Sequence, residues 1–179
     1  MISRKLIHNI SSKSSRGLLV TCDLCIVVKK IKVLRLFEGC SQQCIHPYAA
    51  IGGRCIYIDP FILGSMQEVR NVCQSHHGDI LWFEEGTDCD FYRDLLNHLH
   101  TNQLNEKDYW MGVTDTGHEL SWQYMKTGKA ARLGVPYWLE KYPHKDTTSN
   151  CAILYKNGGY YWIDAKCDTT KAAAICRYA

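Results

Sequence analysis

The hydrophobic residues of this chain recur at two spacings, one typical of helices and one typical of strands. In residues 65–75 the apolar side chains lie three or four positions apart, and Ser65 can cap the helix that they predict. The same spacing recurs in residues 90–101, where Asp88 and Asp90 place negative charge at the end that the helix dipole favours. Two helices are therefore predicted in the middle of the chain.

Strands are predicted on both sides of these helices. Residues 45–59 read as a hairpin that turns at Gly52-Gly53. Residues 152–164 read as a second hairpin around Asn157-Gly158-Gly159, whose glycines can adopt the positive φ angles of a tight turn. Further strands are predicted at residues 109–113, 120–124 and 172–176. Early helices and late strands give the α+β class.

A long polar segment interrupts the second half of the chain. Residues 125–151 contain Gly128, Gly134, Pro136 and Pro143 and show neither spacing. Loops of this length inside a compact domain are usually functional or disordered. The segment is therefore interpreted as either a functional loop or a disordered one.

The first 39 residues differ from the rest. Residues 1–16 are basic, and residues 17–28 are apolar but interrupted by Asp23. This order is similar to a secretory signal, and the apolar run is shorter than the roughly 20 residues that a membrane-spanning helix needs. We interpret residues 1–39 as a targeting segment or a disordered tail, and residues 40–179 as one domain without a membrane span.

Composition and charge narrow the range of partners. Hydrophobic residues make up 46% of the 179 residues, which is enough for a folded core. The formal net charge is only +3, and the lysines and arginines are scattered along the chain. A nucleic-acid partner is not expected, because no basic face is present to bind phosphates.

The cysteine content predicts an oxidising location. Ten cysteines are far more than a chain of this size usually carries in the cytosol. C-x-x-C pairs repeated at zinc-binding spacing are absent, so disulfides and an extracellular location are favoured. The one C-x-x-C, from Cys22 to Cys25, leaves a zinc ribbon or a redox motif as an alternative.

Four motifs stand out over roughly residues 40–179. They are the hairpin bracketed by Cys151 and Cys167, the strand Trp110-Met111-Gly112-Val113-Thr114-Asp115, the pair Cys44 and Cys55, and the helix start Cys89-Asp90-Phe91-Tyr92. Together they resemble the C-type lectin-like domain family, and the helix start is similar to that of arthropod secreted lectins. The resemblance implies an α+β fold with two helices, two small antiparallel sheets and a long loop region, and a secreted protein that recognises pathogen surfaces.

The resemblance also implies how the cysteines pair. The family pattern joins Cys44 with Cys55, Cys73 with Cys176, and Cys151 with Cys167. Two cysteines then remain within the domain, and we expect Cys40 and Cys89 to pair with each other.

A sugar-binding calcium site is implied by the same resemblance. The family holds this ion with an acidic-Pro-amide triplet, an acidic residue two positions before the cysteine that matches Cys151, and an Asn-Asp pair after a tryptophan. Here the triplet reads Tyr142-Pro143-His144, the acidic position is Ser149, and Trp162-Ile163-Asp164 keeps one carboxylate. Because calcium prefers roughly six to eight oxygen ligands, the site is expected to be degenerate.

The candidate site consists of residues that could replace the missing calcium ligands and of aromatic residues on which a sugar could stack. The candidate ligand-binding residues are Glu140, Tyr142, His144, Asp146 and Asp164. Without a metal, flat aromatic faces remain for holding a sugar. Those near the loop are Tyr137, Trp138, Tyr142, Tyr160 and Tyr161, about half of which are expected to serve packing, whereas Trp110, Trp122 and Trp162 are expected in the core.

An accessory calcium ion of the family uses an Asp and a Glu four residues later, which are Asp115 and Glu119 here. The candidate metal ligands are therefore Asp115, Glu119 and Asp164, for a weakly bound Ca²⁺. Alternatively, Asp115 caps a turn and Glu119 pairs with a lysine such as Lys126.

Catalytic motifs are absent from the sequence: there is no H-E-x-x-H, no G-x-S-x-G and no glycine-rich phosphate loop. We do not expect an enzyme. The first hypothesis is recognition of glycans or glycoprotein surfaces by a secreted domain. The alternatives are a calcium-independent protein-binding module on the same fold and a structural or antifreeze-like extracellular protein.

Overall fold

The computed structural model describes residues 43–83, 88–131 and 137–178. The predicted tail with Cys22 and Cys25 lies outside these residues, as do Cys40 and residues 132–136 of the long loop.

Both predicted helices are present. Helix α1 spans Met66–Ser75, and Ser65 forms a capping box with Glu68, whose carboxylate accepts from the Ser65 amide at 2.7 Å. Helix α2 spans Cys89–Thr101 and buries Phe91, Leu95 and Leu99 on one face. The helical spacing of apolar residues therefore identified both helices to within one residue.

The described residues also form eight strands. They are β1 (Ala49–Ile51), β2 (Arg54–Gly64), β3 (Gly78–Ile80), β4 (Tyr109–Thr114), β5 (Gln123–Tyr124), β6 (Cys151–Leu154), β7 (Trp162–Ala165) and β8 (Ala172–Tyr178). Strands β1 and β2 turn at Gly52 and Gly53, both of which have positive φ angles. Between β6 and β7 a 3₁₀ turn, Lys156–Gly158, ends at Gly159 with a φ of 66°.

Two strand predictions were too long. Residues 120–124 were expected as a strand, but Leu120 has a φ of 62° and only Gln123–Tyr124 pair with β4. The Leu120 amide donates to Asp115 Oδ2 at 2.8 Å, so a turn replaces the start of the strand. Similarly, β7 begins at Trp162 because Tyr160 has a positive φ.

The α+β class is confirmed, and the two small sheets that the resemblance implied are joined into one. Strand order is β1-β2-β8-β4-β6-β7, with β3 beside β8 and β5 beside β4. The join is a single parallel contact between Tyr109 of β4 and Ala173 of β8, where the Ala173 amide donates to Asp108 O at 2.7 Å. Consecutive buried alanines, Ala172 to Ala174, leave room for this approach.

Three disulfides match the pairing implied by the resemblance: Cys44–Cys55, Cys73–Cys176 and Cys151–Cys167. Cys89 is also disulfide-bonded. Its predicted partner Cys40 lies outside the described residues, so that pairing stays a prediction.

Large aromatic side chains fill the interior. Trp110, Trp122 and Trp162 are buried, as expected from their strand positions. Gly112 lets β4 lie close to β3 and to Leu81, the residue that follows β3. The Gly112 amide donates to Leu81 O at 2.7 Å, and a Cβ at this position would lie only 2.7 Å from Ile80 Cγ2. Close packing of this kind holds β4 in position at the base of the candidate site.

A buried ion-pair cluster ties three elements together. Arg177 of β8 donates to Asp88 Oδ2 at 3.0 Å and to Trp82 O at 2.9 Å, while Arg54 of β2 donates to Asp88 Oδ1 at 2.9 Å. Asp88 stands at the N-cap of α2, as its charge predicted, but its carboxylate makes no cap hydrogen bond. The carboxylate instead compensates a buried arginine.

Among the helices described in these residues, none is long and apolar enough to cross a membrane.

Candidate ligand-binding site

The described second half of the long loop is fastened to β7 by backbone hydrogen bonds. The Trp162 amide donates to Tyr137 O at 2.7 Å, and the Leu139 amide donates to Trp162 O at 2.9 Å. Trp138 between them is buried and meets the Trp162 ring edge-to-face at 5.7 Å. The loop is therefore held in one position beside the strand that carries Asp164.

His144 lies directly on Asp164. The His144 amide donates to Asp164 Oδ1 at 2.9 Å, and its Nδ1 lies 3.2 Å from Oδ1 and 3.3 Å from Oδ2. The Asp164 side chain is only 1% exposed, whereas the His144 side chain is 54% exposed. A buried carboxylate is thus covered by a half-exposed imidazole.

The loop aromatics divide between core and surface. Trp138 and Tyr160 are buried, whereas Tyr137 and Tyr142 are half-buried and Tyr161 is 40% exposed. The Tyr142 ring meets the His144 ring edge-to-face, with 4.3 Å between ring centroids. Tyr142 and His144 therefore form one aromatic surface above Asp164.

Asp115, at the end of β4, is a buried carboxylate with one unsatisfied oxygen. Oδ2 accepts the Leu120 amide, while buried Oδ1 has no hydrogen-bond partner among the described residues. Burial raises the pKa of Asp115 above its ordinary value of 3.8, and the negative charges of Asp164 and Asp146 raise it further. Asp164 and Asp146 are therefore each close enough to Asp115 to disfavour its negative charge.

Asp146 organises the end of the loop. Its Oδ1 accepts from the Thr148 hydroxyl at 2.6 Å and the Thr148 amide at 2.7 Å, and its Oδ2 accepts from the Ser149 hydroxyl at 2.8 Å. These hydrogen bonds, led by that of the Thr148 hydroxyl, lower the pKa of Asp146 to about 2. The neighbouring Asn150 carbonyl accepts from Thr114 at 2.7 Å, which brings the loop end to β4.

The structure brings some predicted site residues together and leaves others apart. Tyr142, His144 and Asp164 form a contiguous set. Asp115 interacts electrostatically with Asp164 of this set and with Asp146. Glu140 and Glu119 are exposed, with no hydrogen bond or ion pair to the set in the described part of the chain. No group of three His, Cys, Asp or Glu side chains is arranged to hold a metal ion there.

The sequence predicted His144 and Asp164 as ligand-binding residues, but it did not predict the contact between them. The signal was present, because both occupy positions that bind the same ion in the family. Residues that share an ion lie close together, so a histidine and an aspartate at these positions become neighbours.

Fold, disulfides and loop together define a C-type lectin domain. The model of the lectin C-type domain family matches residues 63–178, which is more than half of the chain, and the chain belongs to this family. The family is non-enzymatic, as the lack of catalytic motifs predicted.

Known relatives place the chain within this family at low identity. It is 27% identical to human tetranectin over 117 residues, which are 64% of this chain and 54% of tetranectin, so it spans about half of that relative's length. A complex of SPL-1 with GlcNAc has 21% identity and a TM-score of 0.60, covering 78% of this chain and 97% of SPL-1. A calcium-independent type II antifreeze protein has 15% identity and a TM-score of 0.59, covering 76% of this chain and 95% of the antifreeze protein. These structures share the fold.

Proposed function

We propose that this protein is a secreted module that recognises glycans with the second half of its long loop and with β7. The observation that carries the proposal is the surface of Tyr142 and His144, held in place over buried Asp164. Aromatic faces suit the apolar side of a sugar ring, and a fixed polar group orients it. The GlcNAc bound by SPL-1 in its solved complex supports a sugar as the class of ligand.

We further propose that the sugar-binding calcium site is degenerate. Its remaining carboxylate, Asp164, already accepts two hydrogen bonds from His144. Ile163 and Tyr142 stand where the family has oxygen ligands for the ion, and Ile163 offers none from its side chain. Calcium prefers roughly six to eight hard oxygen ligands, so these residues do not fit the ion.

Asp115, in contrast, offers one unsatisfied oxygen to an accessory calcium ion. Its Oδ1 is buried without a hydrogen-bond partner in the described residues, and the carboxylates of Asp164 and Asp146 add negative charge beside it. When bound, calcium would supply a positive charge that compensates these groups. Asp115 would be the central ligand, with Glu119 as the predicted second one.

Asp115→Asn tests this interpretation of Asp115. In EDTA at neutral pH, the substitution should raise the free energy of unfolding by about 1 kcal/mol, because it removes a buried charge and keeps an oxygen for the Leu120 amide. The raised pKa of Asp115 means that the folded state binds a proton more readily than the unfolded state. Wild-type stability should therefore fall as the pH rises from 3.8 through the folded-state pKa, and the variant should lack this component.

The same variant tests whether calcium binds at Asp115. Thermal unfolding of the wild type should shift upward when calcium replaces EDTA, and that of Asp115→Asn should not. The calcium shift of Glu119→Gln is measured in the same way to test Glu119 as the predicted second ligand of the ion. Equal calcium shifts in wild type and Asp115→Asn would contradict the assignment of Asp115.

Glycan recognition is tested with a glycan array probed in calcium and again in EDTA. We expect a defined set of glycans to be bound in both conditions. Binding that disappears in EDTA and returns with calcium would refute the degenerate site while leaving glycan recognition standing. If no glycan is bound in either condition, the proposed function is wrong.

A second candidate is a calcium-independent protein-binding module. The observation that favours it is Phe61, which is 90% exposed on a bulge of β2 next to exposed Leu63. The bulge is held by Asp59 Oδ1, which accepts the Phe61 amide at 2.9 Å and the Ile62 amide at 3.1 Å. Binding to a glycoprotein that resists EDTA and competing sugar, and that Phe61→Ser weakens, would favour this candidate.

The proposal also covers the location and the biological role of the protein. The disulfides fit an oxidising compartment, and we propose that the protein is secreted. The resemblance to arthropod lectins adds pathogen surfaces as the source of the glycans. Binding of the purified protein to microbial cells, competed by free sugar, tests this role.

A further inference from the structure

We infer that His144, oriented by Asp164, is a metal-independent hydrogen-bond acceptor for a hydroxyl group of a neutral sugar. The inference rests on the proposed function and names the polar group by which the site holds its ligand. In this arrangement the imidazole contacts Asp164, the one carboxylate that remains at the position of the family's sugar-binding calcium site.

Asp164 determines which nitrogen of His144 carries the proton. The carboxylate is buried, and an ionised carboxylate only accepts hydrogen bonds. The Nδ1 atom lies 3.2 Å from Oδ1 and 3.3 Å from Oδ2, so Nδ1 is the donor. In the neutral ring the other nitrogen, Nε2, is then an acceptor.

The acceptor is available to a ligand. More than half of the His144 side chain is exposed, and Nε2 makes no hydrogen bond to the described residues. A sugar hydroxyl can donate to Nε2 and still accept from other groups. A neutral sugar is favoured over a carboxylate or sulfate, because a lone pair on Nε2 repels an anionic oxygen.

Two features hold the ring in this orientation. The His144 amide also donates to Asp164, so both the backbone and the side chain of His144 are attached to the same carboxylate. The Tyr142 ring lies edge-to-face against the imidazole at 4.3 Å. A ring held from two sides loses little rotamer freedom on binding, which favours affinity.

The first test measures binding of methyl glycosides of mannose, galactose and GlcNAc in EDTA by titration calorimetry. We expect His144→Ala to weaken the binding of the preferred glycoside about tenfold, as the loss of one hydrogen bond implies. His46→Ala is the matched control, because His46 is also exposed but precedes β1. The affinity of the His46→Ala variant for the glycoside should be unchanged.

The second test reads the tautomer directly. When the His144 ring is neutral, its ¹⁵N chemical shifts should show a protonated Nδ1 and an unprotonated Nε2. Asp164→Asn, which removes the charge but keeps the shape, should shift the His144 tautomer and reduce affinity, since Asp164 acts as a positioning residue. Near-ultraviolet circular dichroism checks that this variant remains folded.

Four outcomes would overturn the inference. They are unchanged affinity in His144→Ala, a proton on Nε2 in the wild type, sugar binding that requires calcium, and a preference for acidic over neutral glycosides. All four leave glycan recognition in place. An absence of binding to any glycan, with or without calcium, would overturn the proposed function itself and the inference with it.

Discussion

Asp88→Ala should lower the free energy of unfolding by about 3–5 kcal/mol, because it removes a buried carboxylate that is hydrogen-bonded to the buried Arg177 guanidinium. The Arg177 and Asp88 side chains are 5% and 0% exposed, and Arg54 donates to the same carboxylate. Water cannot replace the lost carboxylate at such a site. Chemical denaturation followed by tryptophan fluorescence measures the change.

Asp90→Ala is the matched control for this prediction. Asp90 lies two residues further along, forms an ion pair with Arg93, and its side chain is 65% exposed. Its replacement should change the stability by less than about 1 kcal/mol, as is usual for exposed ion pairs. Similar losses in the two variants would show that the environment of Asp88 is more polar than its burial indicates.

Replacement of both Cys73 and Cys176 with alanine should destabilise the domain by about 4.7 kcal/mol in the chain-entropy account of disulfides. This disulfide joins residues 103 positions apart, so it restricts the unfolded chain more than the Cys44–Cys55 and Cys151–Cys167 disulfides do. Both cysteines are fully buried, and alanine avoids leaving free thiols in the core. Guanidinium unfolding under non-reducing conditions gives the free energy.

The comparison is the double replacement of Cys151 and Cys167, which lie 16 positions apart. The same account predicts a loss of about 3 kcal/mol for a loop of that length. Equal losses in the two double variants would contradict loop length as the main source of stabilisation. This second disulfide also closes the region next to Asn150, so glycan binding should suffer more in this variant than in the first.

Local features of the fold were predictable because their causes lie close together in sequence. The helix over residues 65–75 follows from its apolar spacing and from the capping box of Ser65 and Glu68. The turns at Gly52 and Gly159 follow from the need for positive φ angles. The strand at residues 120–124 was overestimated because the carboxylate of Asp115, five residues earlier, holds the Leu120 amide in a turn that the alternation of apolar residues did not show.

The candidate site was predictable in its location but not in its internal contacts. The resemblance directed attention to the long loop and to Asp115, Tyr142, His144 and Asp164. Which oxygens are already used, and by which donors, depends on how the loop lies on β7. Sequence spacing alone does not carry that information.

The sequence by itself determined the family and the class of fold, since these follow from short motifs, and the family resemblance implied how the described disulfides pair. Only the tertiary structure decided that one sheet is formed through Tyr109 and Ala173, that Asp88 compensates Arg177, and that His144 covers Asp164. Each of these is a contact between residues far apart in the chain. Such contacts depend on packing and desolvation, which arise only when distant segments are brought together.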